Sequence, residues 1–234
     1  MKLSVIVPVY NEEQTIGAVI ERIRAVKLDA IDKEIIIAND GSDDGTRRAI
    51  DEGPWRDDPT VRVLHSPINL GKGAAVRLGL QHATGDVLLT QDADLELDPE
   101  EYGKLLAPIL NDGASVVYGS RFLQPNAAVS FRTRFANRML TMLTNVLFRG
   151  RLTDMETGYK AFRREVLDKV RLRCVGFDFE PEITAKLLLA GYRIIEVPIG
   201  YAPRRLDEGK KIRWVDGLDA VYVLLKCRLT RGRS

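Results

Sequence analysis

Apolar residues fill almost every position of Leu3–Tyr10 (LSVIVPVY) and then thin out to Ile16, Val19, Ile20 and Ile23. The continuous run fits a strand buried on both faces, and the later spacing fits one face of a helix over Thr15–Val26. The alternation repeats. EIIIAN predicts a strand with a short helix after Gly45, and VRVLHS leads into a helix from about Lys72 to Ala83. DVLLTQ precedes a helix over Pro99–Asn111, with proline suitably placed in the first turn, and SVVYGS closes the series. Strands this apolar, separated by helices, predict an α/β protein with a mostly parallel sheet covered on both faces. Ligands in such sheets collect at the carboxyl ends of the strands. The polar motifs Asn11-Glu12, Asn39-Asp40, Asp92 with Asp94, and Ser120-Arg121 all fall there.

After Arg121 the rhythm changes. Arg134–Phe148 reads as an amphipathic helix, TGYKAFRR as a short strand, and Arg164–Val170 and Pro181–Ala190 as helices. YRIIEVPIGY returns to strand, and a basic loop, APRRLDEGKKIR, precedes a last helix over Val215–Leu225. Neither a linker nor an internal repeat interrupts the chain, which is read as one domain, 1–234, with an elaborated second half.

Composition narrows the function classes. The chain has 234 residues, 45% hydrophobic and 29% charged, ordinary for a soluble globular protein. A net charge of +2 gives no reason to expect a nucleic-acid partner. The distribution is uneven: Arg121–Arg173 holds twelve Lys and Arg against four acids, whereas Asp29–Asp58 is mostly acidic. Cys174 and Cys227 are far apart and in no ligand-like spacing, which suggests a reducing compartment and structural thiols. His65 and His82 stand singly and receive no role. With no signal-peptide layout and no apolar run of about 20 residues, the expectation is a cytoplasmic chain, able at most to lie against a membrane.

Four stretches carry candidate chemistry. NDGSDDGT places Asp40, Ser42, Asp44, Gly45 and Asp51 at calcium-loop positions, but a strand precedes it and Arg47 and Arg48 lie inside it. A strand-end turn with Asp40 aimed at the site is the preferred reading, a purely structural turn the other. NLGKGAAV opens a helix whose first amides, with Lys72, would suit a phosphate, although Gly73 rules out a Walker loop. LLTQDADLELDPEE crowds six carboxylates. Asp92 and Asp94, read as extended, would share one side and repel unless a divalent cation sat between them; Glu96 would be a further ligand or a water anchor. Asp98, Glu100 and Glu101 read as first-turn acids of the next helix. Arg121, Arg132 and Arg134 suit a phosphate, with a solvated basic face as the alternative. Arg204, Arg205, Lys210 and Lys211 form a basic loop that would close over phosphates or simply lie at the surface.

In order, VPVYNEE, NDGSDDGT, NLGKGAAVRLGL, QDADLELDPEE, GSRF, DMETGYKAFRR, GFDFEPEI and VPIGY resemble glycosyltransferase family 2, nearest the dolichol- or polyprenyl-phosphate mannose and glucose synthases. The resemblance implies a GT-A fold, a nucleotide-sugar donor, Mg²⁺ or Mn²⁺, and inversion at the anomeric carbon. It implies a nucleotide-sugar half (1–120), an acceptor half (121–210), and an amphipathic helix with a basic tail (211–234). Pro8, Tyr10, Glu12 and Asp40 would hold the nucleobase and ribose. Asp92, Ala93 and Asp94 would meet metal and diphosphate, with Lys72 and Arg204 nearby. Arg121 and Arg132 or Arg134 would receive an acceptor phosphate; Asp154, Glu156 and Lys160 would line the sugar pocket. Glu180 occupies the place near which other branches keep a catalytic carboxylate. Asn39 and the RRLDEGKKI loop depart from the mannose-synthase pattern, so the sugar stays open between GDP-mannose and UDP-glucose types.

Two acceptors are compatible with these residues. A lipid monophosphate is already anionic and needs orientation and charge compensation; a glycan hydroxyl needs a base, with Glu180 or Asp178 the candidates. The basic excess favours the lipid phosphate. A non-catalytic nucleotide-sugar sensor would not need the arginines, and a nucleotidyltransferase would need a Gly-rich loop after Val7. The last helix carries Trp214, Leu218, Val221, Tyr222 and Leu225 on one stripe, suited to an anionic bilayer, a membrane protein, the core or a homodimer.

Overall fold

The computed structural model describes residues 1–124, 129–203 and 214–230, and the side chains of 214–216 are not among those described. The basic loop, including Arg204, Arg205, Lys210 and Lys211, lies outside the described residues, as do the tail arginines Arg231 and Arg233.

Seven strands form one sheet: β1 (Lys2–Val9), β2 (Asp32–Asn39), β3 (Val61–His65), β4 (Val87–Thr90), β5 (Val116–Ser120), β6 (Lys160–Arg163) and β7 (Ile194–Pro198). Their spatial order is β3-β2-β1-β4-β6-β5-β7. Every neighbouring pair is parallel except those made by β6, which runs antiparallel between β4 and β5. The short TGYKAFRR strand is thus an internal strand, and its first residue, Lys160, opposite Tyr118, sits at the same rim as the carboxyl ends of the others.

The apolar runs explain the layering. β1, β2 and β4 bury side chains on both faces, so each face needs helices. Helices α1 (Ile16–Ala25), α2 (Thr46–Asp51) and α4 (Tyr102–Asn111) cover one face, with Ile16, Ile20, Ile50, Leu105 and Ile109 in its core. Helices α3 (Lys72–His82) and α6 (Phe179–Leu189) cover the other, through Val76, Leu80, Phe179, Ile183 and Leu187. Helices α5 (Phe131–Phe148) and α7 (Trp214–Leu229) lie further out and share a small cluster that includes Phe148, Leu152, Leu224 and Cys227.

Local chemistry shifts some predicted boundaries. α5 begins three residues before Arg134 because Ser130 caps it, its Oγ accepting from the Thr133 amide at 3.2 Å. Arg164–Asp168 is a 3-10 turn rather than an α-helix, and Pro99–Glu101 a 3-10 turn leading into α4. Among the described residues no helix is long and apolar enough to cross a membrane.

Candidate active site

At the β1–β2 end of the rim, two loops are stitched together. The Asn11 amide donates to Ser42 Oγ at 3.0 Å, the Glu12 amide to Thr46 Oγ1 at 2.7 Å, and Gly45 N to Glu13 Oε2 at 2.8 Å. The calcium-loop carboxylates serve these links: Asp44 accepts from the Thr46 amide at 2.9 Å and Asp43 from Asn11 Nδ2 at 2.5 Å. NDGSDDGT is therefore a strand-end turn. Asp40 is 3% exposed and clasps the next loop, accepting from Leu70 N at 3.0 Å and Gly71 N at 2.6 Å. Pro8 is buried in register with Ala38, and Tyr10 and Glu12 are half-buried at the rim.

The loop that Asp40 holds delivers Lys72. Gly71 adopts φ +109, and a Cβ there would strike the Val175 carbonyl, so only glycine lets the 174–176 segment lie this close. That segment also takes the helix-start amides: Gly73 N donates to Gly176 O and Ala74 N to Val175 O, each at 2.9 Å. The phosphate cradle expected from those amides is corrected accordingly, since chain carbonyls already satisfy them. Lys72 Nζ lies 2.7 Å from both Asp92 Oδ1 and Glu180 Oε1. Burial alone would lower its pKa, but the charges of Asp92 and Glu180 outweigh burial and raise it, so the ammonium stays protonated.

Asp92 stands on a buried platform. Tyr102 and Tyr159 both donate their hydroxyls to Gln91 Oε1, at 2.9 and 2.7 Å, and Gln91 Nε2 donates to the Asp92 carbonyl at 3.0 Å. Gly158 lies so close that a Cβ would collide with Asp92 Oδ2. The chain then turns instead of staying extended: Leu95 has φ +62, and Asp94 Oδ1 accepts the Glu96 amide at 3.1 Å. The alternation argument for Asp92 and Asp94 is therefore corrected to a turn. Glu96 accepts from Tyr201 Oη at 2.7 Å. Asp98 caps the following 3-10 turn as predicted, accepting from Glu100 N at 3.1 Å.

Next along the rim, Arg121 is gripped by Asp154, with Nε–Oδ2 2.7 Å and Nη2–Oδ1 2.8 Å. Asn137 of α5 donates to the same carboxylate at 2.9 Å, and the guanidinium carbon sits 5.2 Å from the Tyr201 ring centroid. Burial would lower the Arg121 pKa and raise that of Asp154, but their mutual attraction wins on both sides, so the pair stays charged. Arg132 and Arg134 stand exposed in the first turn of α5. Lys160 is wholly buried, donating to the Met155 and Thr157 carbonyls at 2.9 and 2.7 Å and lying 4.1 Å from the Tyr118 ring centroid. Burial pushes its pKa down. Burial, helped by the Glu180 charge, pushes Glu156 up, and Glu156 Oε1 is buried with no hydrogen-bond partner among the described residues.

The structure thus brings Lys72, Asp92 and Glu180 into contact and Arg121 onto Asp154. Gln91, Tyr102, Tyr159, Gly158, Asn137 and Tyr201 were not among the sequence candidates. Only Gln91 carried a signal, as a polar residue ending an apolar strand.

The fit to a divalent cation rests on the donor set. Asp92 and Asp94 supply hard oxygens from one turn, the chemistry Mg²⁺ and Mn²⁺ take when phosphate oxygens and water complete the shell. Among the described residues no three Asp, Glu, His or Cys side chains group as a metal cage, and Glu96, the third expected ligand, is engaged by Tyr201.

Comparison with known proteins gives the family and the fold. Residues 4–171 match glycosyl transferase family 2. Polyprenol monophosphomannose synthase of Mycolicibacterium smegmatis is 31% identical over 215 residues, 88% of this chain and 79% of that protein. Undecaprenyl-phosphate mannosyltransferase of Micrococcus luteus is 31% identical over 240 residues, 95% of this chain and 93% of that protein. In fold, the chain is similar to glucosyl-3-phosphoglycerate synthase from Mycobacterium tuberculosis, crystallised with Mn²⁺, UDP and phosphoglyceric acid. The TM-score is 0.72 at 24% identity, covering 98% of this chain and 78% of that one. The chain belongs to glycosyltransferase family 2 and is an enzyme of the GT-A fold.

Proposed function

We propose that the enzyme transfers a sugar, with inversion, from a nucleotide-sugar donor of the GDP-mannose or UDP-glucose type to a polyprenyl phosphate. The reaction is placed at the cytoplasmic face of a membrane. One juxtaposition carries this reading: the Asp92–Asp94 turn shares its rim with Arg121, which opens a stretch to Arg151 containing six arginines and no acid. The names of the two mannosyl-transferring relatives support it.

Pro8, Tyr10 and Glu12 are assigned to the nucleoside side, with Asp40 positioning the loop that carries Lys72. Asp92 and Asp94 would hold Mg²⁺ or Mn²⁺, which supplies Lewis-acid stabilisation to the leaving diphosphate. Lys72 keeps a permanent positive charge beside that position. Asp154 fixes the Nε and Nη2 edge of Arg121, directing the rest of the guanidinium to the acceptor phosphate. A single displacement then inverts the anomeric carbon, and an already anionic acceptor needs no base. Glu180 agrees with this, since its carboxylate is engaged by Lys72. Lys160 braces the Met155–Thr157 turn that carries Glu156.

A hydroxyl acceptor is the second reading, and the buried, unpartnered Glu156 oxygen favours it as a base. Labelled GDP-mannose and UDP-glucose, each offered with polyprenyl phosphate and with the unphosphorylated polyprenol, separate the two. Organic-phase product only from the phosphate, lost on adding EDTA and restored by Mn²⁺, is the expected result. Product from the polyprenol, or donor binding without turnover on either lipid, contradicts it.

A further inference from the structure

We propose that the outward faces of α5 and α7 dock the enzyme on an anionic lipid bilayer. The proposal concerns where the chain sits and stands independently of which acceptor it uses.

α5 is apolar on more than the face it packs. Its buried side chains are Asn137, Thr141, Thr144 and Phe148, and Leu140, Leu143 and Leu147 pack half-buried on the cluster shared with α7. Asn137 is hydrogen-bonded to Asp154 at 2.9 Å, Thr141 to Asn137 at 3.0 Å, and the Met155 amide to Thr141 at 3.1 Å. The side chains α5 turns outward are large and apolar: Phe131 (82% exposed), Phe135, Met139, Met142 and Val146 (72%). At about 100° per residue these five fall within an arc of about 80°, and the buried four within a similar arc on the far side. Phe131 and Phe135 stack on each other, ring centroids 6.5 Å apart, extending one continuous surface. A helix face that met only water would be mostly polar, and a soluble protein rarely leaves so long an apolar stripe bare.

α7 adds a second exposed apolar stripe beside it. Ala220, Leu224 and Cys227 are buried, while Leu218, Tyr222, Leu225 and Leu229 are exposed along one stripe. The two helices share the cluster of Phe148, Leu152, Leu224 and Cys227, so they lie side by side.

Charge selects the occupant. α5 contains Arg132, Arg134 and Arg138 and no acid, and all three arginines are exposed. By helical spacing Arg132 borders the apolar stripe on one side, Arg134 and Arg138 on the other. Arginines so placed reach lipid phosphates while the apolar centre enters the interface. α7 adds Lys226 and Arg228 against the exposed Asp219, and a symmetric pair of copies meeting α5 on α5 would set cationic helix against cationic helix.

The test uses protein-free vesicles of phosphatidylcholine with phosphatidylglycerol, containing no polyprenyl phosphate, so that it reads docking and not acceptor recognition. In co-sedimentation at low salt the full chain pellets with these vesicles and far less with phosphatidylcholine alone. Phe131→Ser with Phe135→Ser lowers partitioning by about tenfold or more, and Arg138→Gln by about fivefold. Both variants keep the wild-type melting temperature, because the replaced side chains face outward. Wild-type chain remaining in the supernatant, or the Phe variants pelleting like wild type, overturns the proposal. So does a dimer in sedimentation equilibrium that the Phe variants dissociate, because a second copy would then cover the stripe.

Discussion

At Gly158 a single methyl group separates a working site from a displaced one. A Cβ there would collide with Asp92 Oδ2, and Asp92 has little room to yield because its carbonyl is held by Gln91 and its carboxylate by Lys72. Gly158→Ala is expected to lower kcat by about 100-fold, the cost of misplacing a reacting group by about an ångström. The melting temperature should change less than the rate, since besides Asp92 the methyl group meets only Leu97 Cδ1, at 3.1 Å. Steady-state kinetics with a thermal melt separates the two effects. Glu34 makes the opposite kind of contribution, to stability alone. Burial by itself would raise its pKa, but hydrogen bonds from Lys2, Ser4 and Thr84 outweigh that and pull it from 4.5 to about 2. A carboxylate whose folded pKa is depressed stabilises the fold above its unfolded pKa, and that contribution is lost as pH falls toward about 2. Glu34→Gln should therefore destabilise the enzyme by about 2 kcal/mol at neutral pH, and the deficit should fade between about pH 5 and pH 2 in denaturant melts.

At the scale of an element, α3 shows how backbone fit decides the position of a charge. A Cβ on Gly73 would come within 2.9 Å of the Cys174 backbone carbon and 3.0 Å of Gly176 O. The 174–176 segment would have to retreat from the helix start, taking with it two carbonyls that satisfy α3 amides. Gly73→Ala should cost about 1–3 kcal/mol in urea melts and also raise KM for the donor, because Lys72 is the neighbouring residue. A loss of stability with unchanged kinetics would mean that Lys72 is positioned independently of that segment. Much of the element layout was legible from pattern: the runs Leu3–Val9, Glu34–Asn39 and Val87–Thr90 are too apolar to be anything but internal strands, and Asp98 announced its own cap. Other features were not legible for a physical reason. The place of β6 between β4 and β5 depends on pairing across more than forty residues, which local spacing does not encode. The clasp of Asp40 on Leu70 and Gly71, and that of Lys72 on Asp92 and Glu180, likewise arise from loops that meet only after folding. For α7, period revealed a stripe and left open whether it faced a membrane, the core or another copy, and for α5 it revealed only an amphipathic helix.

Taken whole, the molecule keeps its two rims for different purposes. At the amino-terminal rim, Lys2, Ser4, Glu34 and Thr84 pair with one another in a closed hydrogen-bond network that strengthens the fold. At the carboxyl-terminal rim, buried or half-buried charges meet in small separate groups: Lys72 shared by Asp92 and Glu180, Arg121 with Asp154, and Glu156 with an oxygen left over among the described residues. Enzymes commonly give up stability in this way to hold charges ready for a ligand. The account stands on the claim that the Asp92–Asp94 turn is where the donor's diphosphate and a divalent ion are held. Anomalous diffraction from crystals grown with Mn²⁺ and donor nucleotide tests it directly. A manganese peak bridging Asp92 or Asp94 and the diphosphate is the predicted result. Nucleotide bound with no manganese at those carboxylates, or nucleotide seated away from the β4 end, would contradict the account.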